Sequence, residues 1–329
     1  MMAQASQKWI LLVVLVAFLL FLPWSLGNYW TYLINLSGIY TVAILGLNIL
    51  MGLGGQMFFG GVAMMALGAY ASAALTNYLG IPFYLSILLS GFITSVLSLV
   101  IIFPALRVRG LYLAMVSVGF HLILDQVIGH WDSFTGGYNG LSLPKVSFAG
   151  ISMATDRAFY YVVLAGVAFS LWSASNLMKM RVGRAIWALG QDAVASSVLG
   201  LNVTYYKVVA FLLCAFYCGI SGGLLAHYLR FITPDHFTIV MAIMLLVGMI
   251  IGGWGSLTGS IAGGFFVTFL PEVIGFFKDY FLGASTALYD VQATISGIII
   301  ILVVIFIPHG FAEWVKGLRL KWRYQHKKE

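Results

Sequence analysis

The sequence predicts an all-α polytopic integral membrane protein with about ten membrane segments and glycine-rich helices that are broken or re-entrant. Three observations carry that prediction. The 329-residue chain is 61% hydrophobic and 8% charged, a balance that a soluble fold of this length could not keep in solution. Apolar windows long enough to cross a hydrocarbon core of about 30 Å recur along its whole length. The Lys and Arg residues stand in clusters between those windows rather than spread over a surface. The whole of 1–329 is expected to be a single transmembrane domain.

Taken in order, the first window, 9–26, follows Lys8 and resembles a secretory signal. No small-x-small cleavage site stands around Pro23 to Asn28, so it is expected to be a retained span. Windows 30–51 and 57–79 meet at a cluster of Gly52, Gly54, Gly55, Gly60 and Gly61, and window 83–105 runs to the basic pair Arg107 and Arg109. Window 110–130 holds two ionisable residues, His121 and Asp125, and leads into the loop 130–156. That loop carries Trp131, Asp132, Thr135, Gly136, Gly137, Asn139, Gly140 and Pro144. Such turn chemistry fits a tight turn or part of a docking face for an external partner. Window 157–178 runs to Lys179, Arg181 and Arg184; windows 205–229, 238–252, 258–280 and 291–308 follow the polar loop 180–204.

The positive-inside rule places the cluster at Arg107, the cluster from Lys179 to Lys207 and the tail 309–329, with Lys316, Arg319, Lys321, Arg323, Lys327 and Lys328, on the cytoplasmic side. The expected number of spans between consecutive clusters is even throughout, so the topology closes with both termini in the cytoplasm. The net charge of +7 sits beside membrane exits and not in a patch with interleaved aromatics, which fits anionic lipid headgroups and no nucleic acid. The two cysteines, Cys214 and Cys218, share one apolar helix face without a nearby His cluster, so packing is expected of them and no metal site.

Glycine density marks two places inside apolar windows: the cluster at 52–61 and a second of Gly248, Gly252, Gly253, Gly255 and Gly259. A single glycine in a membrane helix serves close packing. Five together, beside Gln56 in the first and Ser256 and Thr258 in the second, predict a break at membrane depth, which is tolerated only in a protein interior or along a cavity. Their placement in the two halves suggests an internal repeat, and transporters place substrate paths near such discontinuous segments. Asn48, Gln56, Ser72, Thr258 and Ser260 are candidates for interhelical hydrogen bonds or for a path lining. The expected translocation path comprises Asn48, Gly55, Gln56, Gly60, His121, Asp125, Gly253, Gly255, Ser256 and Thr258.

His121 and Asp125, four residues apart, share a helix face and could pair, line a path or relay a proton. No Lys in the chain is followed by Ser or Thr, so no P-loop is present and ATP energy would have to come from another subunit. No nucleophile elbow, zinc-protease helix, haem-attachment pair or dinucleotide fingerprint occurs either, so no catalytic residue is expected.

The segment 183–199 alternates Ala185, Ile186, Ala188, Leu189, Val194, Ala195, Val198 and Leu199 with Arg184, Gln191, Asp192, Ser196 and Ser197, and Gly200 supplies a stop. An amphipathic helix in a cytoplasmic loop can lie on the bilayer; its small residues favour contact with a protein.

Several ordered motifs carry a resemblance to a known family. They are Gly46-Leu47-Asn48 leading into the glycine-rich run, Arg109-Gly110-Leu111-Tyr112-Leu113-Ala114-Met115-Val116, and Thr135-Gly136-Gly137 with Asn139-Gly140-Leu141. Gly183-Arg184-Ala185, Leu199-Gly200-Leu201-Asn202-Val203, Tyr206-Lys207, Pro234-Asp235 and Gly252-Gly253-Trp254-Gly255-Ser256-Leu257-Thr258-Gly259 follow. At these residues the chain resembles the permease subunits of branched-chain amino acid ABC importers, the LivM-like type, over most of its length. The resemblance implies a second homologous permease, two cytoplasmic ABC ATPases that carry ATP and Mg, an external solute-binding protein and a bacterial inner membrane. It implies no cofactor on this chain. It also implies a coupling helix between Gly183 and Gly200, with Gly183, Arg184, Ala185, Ala188, Asp192, Leu199 and Gly200 at the ATPase groove. The run Leu189-Gly190-Gln191-Asp192 departs from the more charged family pattern and carries a glycine that weakens a helix. Two other transport readings stay open: the same kind of importer for urea, amides or aromatic acids, and a stand-alone proton-coupled carrier using His121 and Asp125.

Overall fold

In the computed structural model, which describes residues 20–108, 110–148, 151–153, 155–282 and 297, the apolar windows are helices. A helix meets all of its own backbone hydrogen bonds, which hydrocarbon demands of any spanning segment outside a closed barrel. Helix α1, Asn28–Leu47, continues into a π-helical turn, Asn48–Leu53. Then come α2, Gly61–Leu79; α3, Phe83–Ala105; α4, Leu111–His130; and α5, Asp156–Lys179. The polar loop holds α6, Arg181–Gln191, and α7, Ala193–Val198, and is followed by α8, Val203–Leu229; α9, Ile239–Gly252; and α10, Leu257–Leu282.

Among the described residues, eight helices are long and apolar enough to cross a membrane, and they match eight of the ten windows expected from sequence to within a few residues. The protein is thus an all-α polytopic membrane protein. Residues 20–25, the described end of the window 9–26, are helical. Arg109, the window 291–308 apart from residue 297, and the tail 309–329 lie outside the described residues.

Helix α8 is the axis of the bundle: from Ala210 to Tyr228 nearly every side chain is buried, and α1, α2 and α3 pack round it. Small residues make this possible. A Cβ on Gly222 would stand 1.9 Å from the Met65 carbonyl oxygen, and one on Gly68 would stand 2.4 Å from the Gly219 Cα, so α2 and α8 touch backbone to backbone. Lipid tails are as apolar as leucine, and such close approach is what holds helices together in their place.

The loop 130–156 sits at the end of the bundle away from α6. A single helical turn, Asp132–Thr135, leads through Gly136, Gly137 and Gly140, all with positive φ, into strand β1, Leu141–Ser142. The Thr135 hydroxyl donates to the Ile128 carbonyl (2.7 Å) and accepts from Gly137 N (3.2 Å), which fixes the tight turn. Strands β2, Ser147–Phe148, and β3, Ile151–Ser152, pair with each other. Strand β1 pairs antiparallel with β4, Phe231–Ile232, and so ties this loop to the exit of α8.

Candidate functional site

The polar loop is amphipathic in three dimensions. Gly183, Ala185, Ile186 and Leu189 make the buried face of α6, while Arg181, Arg184 and Trp187 face outward. The Asp192 carboxylate ends α6 and starts α7 by accepting from Val194 N (2.7 Å) and Ala195 N (3.1 Å), an N-cap that turns the chain sharply. On α7 and the residue after it, Val194, Val198 and Leu199 are 69%, 82% and 80% exposed. Among the described residues, little covers this knob of apolar side chains.

Of the seven residues expected to meet a partner, Arg184, Asp192, Leu199 and Gly200 are exposed and Ala188 is half-buried. Gly183 and Ala185 face the other way. A Cβ on Gly183 would stand 2.3 Å from the Leu177 carbonyl oxygen, and Ala185 is buried, so both serve the chain's own packing. The glycine that weakens α6 has a positive reason. Gly190 rests on the backbone at the end of the π-helical turn, where a Cβ would stand 2.0 Å from the Leu53 carbonyl oxygen.

Both glycine clusters contain the predicted breaks, and the breaks meet. After Leu53 the chain leaves the helix for 54–60, with Gly54, Gln56, Phe58 and Gly60 turned inward and Gly55 and Met57 outward. Phe59 N donates to the Ser117 hydroxyl (2.8 Å), seven residues into α4, so this non-helical stretch climbs from α6 into the body of the bundle. It is sheltered by protein as such backbone must be. The second break, 253–256, joins α9 to α10 with Gly253 (φ 107°) and Gly255 (φ 69°) in backbone conformations that favour glycine.

Asn48 fastens the two. The two hydrogens of its Nδ2 are shared among the carbonyls of Gly253 (3.3 Å) and Ser256 (2.9 Å) and the Ser260 hydroxyl (3.1 Å), and its Oδ1 accepts from Gly255 N (2.6 Å). The Ser256 hydroxyl accepts from Gly259 N (3.1 Å) and bonds the Thr258 hydroxyl (3.2 Å). Asn48, Gly253, Gly255, Ser256 and Thr258, all expected to line a path, thus bond to one another in one junction, with Ser256 half-buried and Thr258 exposed. Gly55 (φ 64°) lies against Gly190, and Gly60 lies beside Phe58. Gln56 is buried with its Nε2 unpartnered.

His121 and Asp125 stand apart from that junction, on α4. With Ser117 they form a stripe at four-residue spacing that faces the first break and the short helical turn Pro234–Phe237: Ser117 holds Phe59, while His121 and Asp125 border a small cavity closed by Pro234 and Phe237. No hydrogen bond or ion pair joins His121 to Asp125, and His121 Nδ1 is buried without a partner. The opposite face of α4 is open, with Leu111, Tyr112, Met115 and Ile123 exposed.

Sequence reasoning passed over Ser117, Tyr70 and His227. Ser117 needed only the extension of the four-residue spacing one step back from His121. His227 is buried with Nε2 bonded to the hydroxyls of Ser72 (3.0 Å) and Ser86 (2.9 Å), and a histidine inside an apolar window was its signal. Cys214 and Cys218 are free and fully buried, as packing residues would be. Among the described residues no group of three His, Cys, Asp or Glu side chains could hold a metal ion.

Residues 29–307 match the family model described as the branched-chain amino acid transport system permease component. The chain belongs to that permease family. The permease is 30% identical over 302 residues to the high-affinity branched-chain amino acid transport system permease proteins LivM of Salmonella typhimurium and of Escherichia coli K12, covering 84% of this chain and 71% of each of theirs. It is also 24% identical over 263 residues to a probable branched-chain amino acid transport permease protein LivH of Methanocaldococcus jannaschii, covering 77% of this chain and 82% of that protein. No solved structure matches the permease.

Proposed function

We propose that this permease is the membrane-spanning subunit of an ATP-driven importer for branched-chain or related hydrophobic amino acids in a bacterial inner membrane. Its partners are a second homologous permease, two ABC ATPases that bind ATP and Mg, and an external solute-binding protein. Both termini are cytoplasmic. The likeness of one chain to relatives named LivM and LivH supports a pair of related permeases.

One observation carries the reading most directly. The loop beside Lys179, Arg181 and Arg184 presents an exposed apolar knob, and the same loop is seated through Gly190 on the end of a broken membrane helix. A partner that grips Val194, Val198 and Leu199 pulls on α6. Gly190 passes that displacement to Leu53 and Gly55, and Asn48 passes it on to the α9–α10 turn. ATP binding and hydrolysis in the ATPases thus move helix ends on two sides of the bundle, and the stripe on α4 opens first to one side and then to the other. No covalent step occurs on this chain.

The test is recovery of the tagged permease from native membranes with identification of its companions, followed by uptake of labelled leucine and labelled urea. A second permease and ATPases, with leucine uptake, are the expected result. Leucine uptake absent from an intact complex that moves urea would transfer the assignment to urea and its amide relatives. Reproducible recovery of the permease alone would favour a stand-alone carrier.

A further inference from the structure

Tyr70, on α2, and His121, on α4, are each only 4% exposed, yet the Tyr70 hydroxyl and His121 Nδ1 have no hydrogen-bond partner. Buried polar atoms are paired as a rule, so each orphan asks for a missing partner. They do share one neighbourhood. The Tyr70 ring lies against Phe237 (centroids 6.4 Å apart), and Phe237 closes the cavity that His121 and Asp125 border. That cavity has a volume of about 10 Å³, room for one water-sized group. The charged side chains that act on Tyr70 and His121 are carboxylates, Asp125 on both and Asp235 on Tyr70.

We propose that Tyr70, His121 and Asp125 form the permease's own recognition site for a primary ammonium group on the solute it passes, a reading that rests on the amino acid function proposed above. A primary ammonium has three donors and no acceptor. The proposed site offers it three acceptors: the Asp125 carboxylate and His121 Nδ1 on the cavity wall, and the oxygen of Tyr70, whose ring packs on Phe237 of that wall. In this site the ring proton sits on Nε2, and the unpartnered Nδ1 is free to accept. A neutral solute such as urea can donate hydrogen bonds but leaves the carboxylate's charge unmatched in a low-dielectric interior. The site therefore discriminates by charge inside the membrane, after any selection made outside it. The same pairing accounts for an ionisable residue kept at a depth where an unpaired one is costly.

The test uses the complete transporter in proteoliposomes, with leucine-loaded binding protein at saturation, comparing wild type, Asp125→Asn and Tyr70→Phe. Leucine uptake per ATP hydrolysed should fall about tenfold or more in Asp125→Asn and severalfold in Tyr70→Phe, at unchanged ATP hydrolysis, as expected when one charged and one neutral hydrogen bond to the solute are lost. Tyr70→Phe removes only an oxygen, so it decides the matter if Asp125→Asn fails to fold. Wild-type uptake per ATP in Tyr70→Phe, and in any folded Asp125→Asn complex, would show that the cavity holds only a water and would overturn the site. A wild-type complex that moves no leucine or other primary amine would instead overturn the amino acid reading on which the site rests.

Discussion

Asn48 and Gly255 are 207 residues apart in sequence and joined by a hydrogen bond of 2.6 Å, from the glycine N–H to the side-chain oxygen. That bond, with the contacts of the Asn48 amide nitrogen to Gly253, Ser256 and Ser260, makes one mechanical unit of the π-helical turn after α1 and the turn between α9 and α10. π-Helical turns recur at functional sites because they place a kink where a straight helix has none.

Asn48→Ala should loosen that unit. Interhelical hydrogen bonds in membrane proteins contribute about 0.6 to 1.7 kcal/mol each, so loss of the two that the amide can donate and the one it accepts should cost about 2–5 kcal/mol. Thermal unfolding of the purified complex in detergent should show a clear drop in midpoint. Asn48→Asp keeps the acceptor for Gly255 N but turns a buried carboxylate oxygen toward the carbonyls of Gly253 and Ser256, and should lower the midpoint at least as far as Asn48→Ala. A midpoint unmoved by Asn48→Ala would show that the two breaks are held by other contacts.

Gly190→Val puts a branched side chain where even a Cβ is 2.0 Å from the Leu53 carbonyl oxygen. Overpacking of this kind costs about 1–3 kcal/mol, which a protein of this size survives, so the variant should insert into the membrane. Its uptake should fall about tenfold or more while ATP hydrolysis continues, because the loop no longer seats on the helix it moves. Parallel assays of uptake and ATP hydrolysis in proteoliposomes check this.

The exposed knob should behave in the opposite way. Leu199→Asp, alone or with Val198→Asp, changes a side chain that is about four-fifths exposed among the described residues, so thermal stability of the isolated permease should stay within about 0.5 kcal/mol of wild type. Burying a leucine side chain is worth about 1.5–3 kcal/mol, so ATPase recovered with the tagged permease should drop at least about tenfold. Substitutions at Gly183 are unsuited to the same test, since they damage packing against Leu177 before they reach a partner.

Cys214 and Cys218 are buried in α8 beside α1, where Cys218 Sγ donates to the Ala43 carbonyl at 3.8 Å. A membrane-permeant maleimide should label neither in the folded protein and both after denaturation, as judged by mass. Rapid labelling of native protein would mean that the contact between α1 and α8 opens.

Legibility followed the range of the interactions. The eight described spans were readable because a helix in hydrocarbon is written in a local run of about 20 apolar residues. Gly252 and Gly253 were readable as a break for the same reason, being close neighbours in sequence. What the breaks touch was not. Asn48 looked equally suited to a hydrogen bond and to a solute because its four partners lie more than 200 residues away. Gly190 looked like a flaw in α6 because the Leu53 carbonyl that forbids a side chain there is far off in sequence. Gly183 and Arg184 are adjacent and belong to one motif, yet the helix turns one inward and the other outward, a distinction that only the position of α6 on the bundle supplies. His121 and Asp125 were visible as costly residues in an apolar window; that they go unpaired to each other depends on Tyr70 and on the turn Pro234–Phe237, which arrive from two other parts of the chain.

The most direct test is uptake of labelled leucine into proteoliposomes that hold the complete transporter, with and without ATP, for wild type and for the Val198→Asp, Leu199→Asp permease. Uptake that requires ATP and is lost when the knob is charged is the predicted result. Leucine uptake by this chain alone, driven by a proton gradient without ATP and indifferent to the knob, would contradict it.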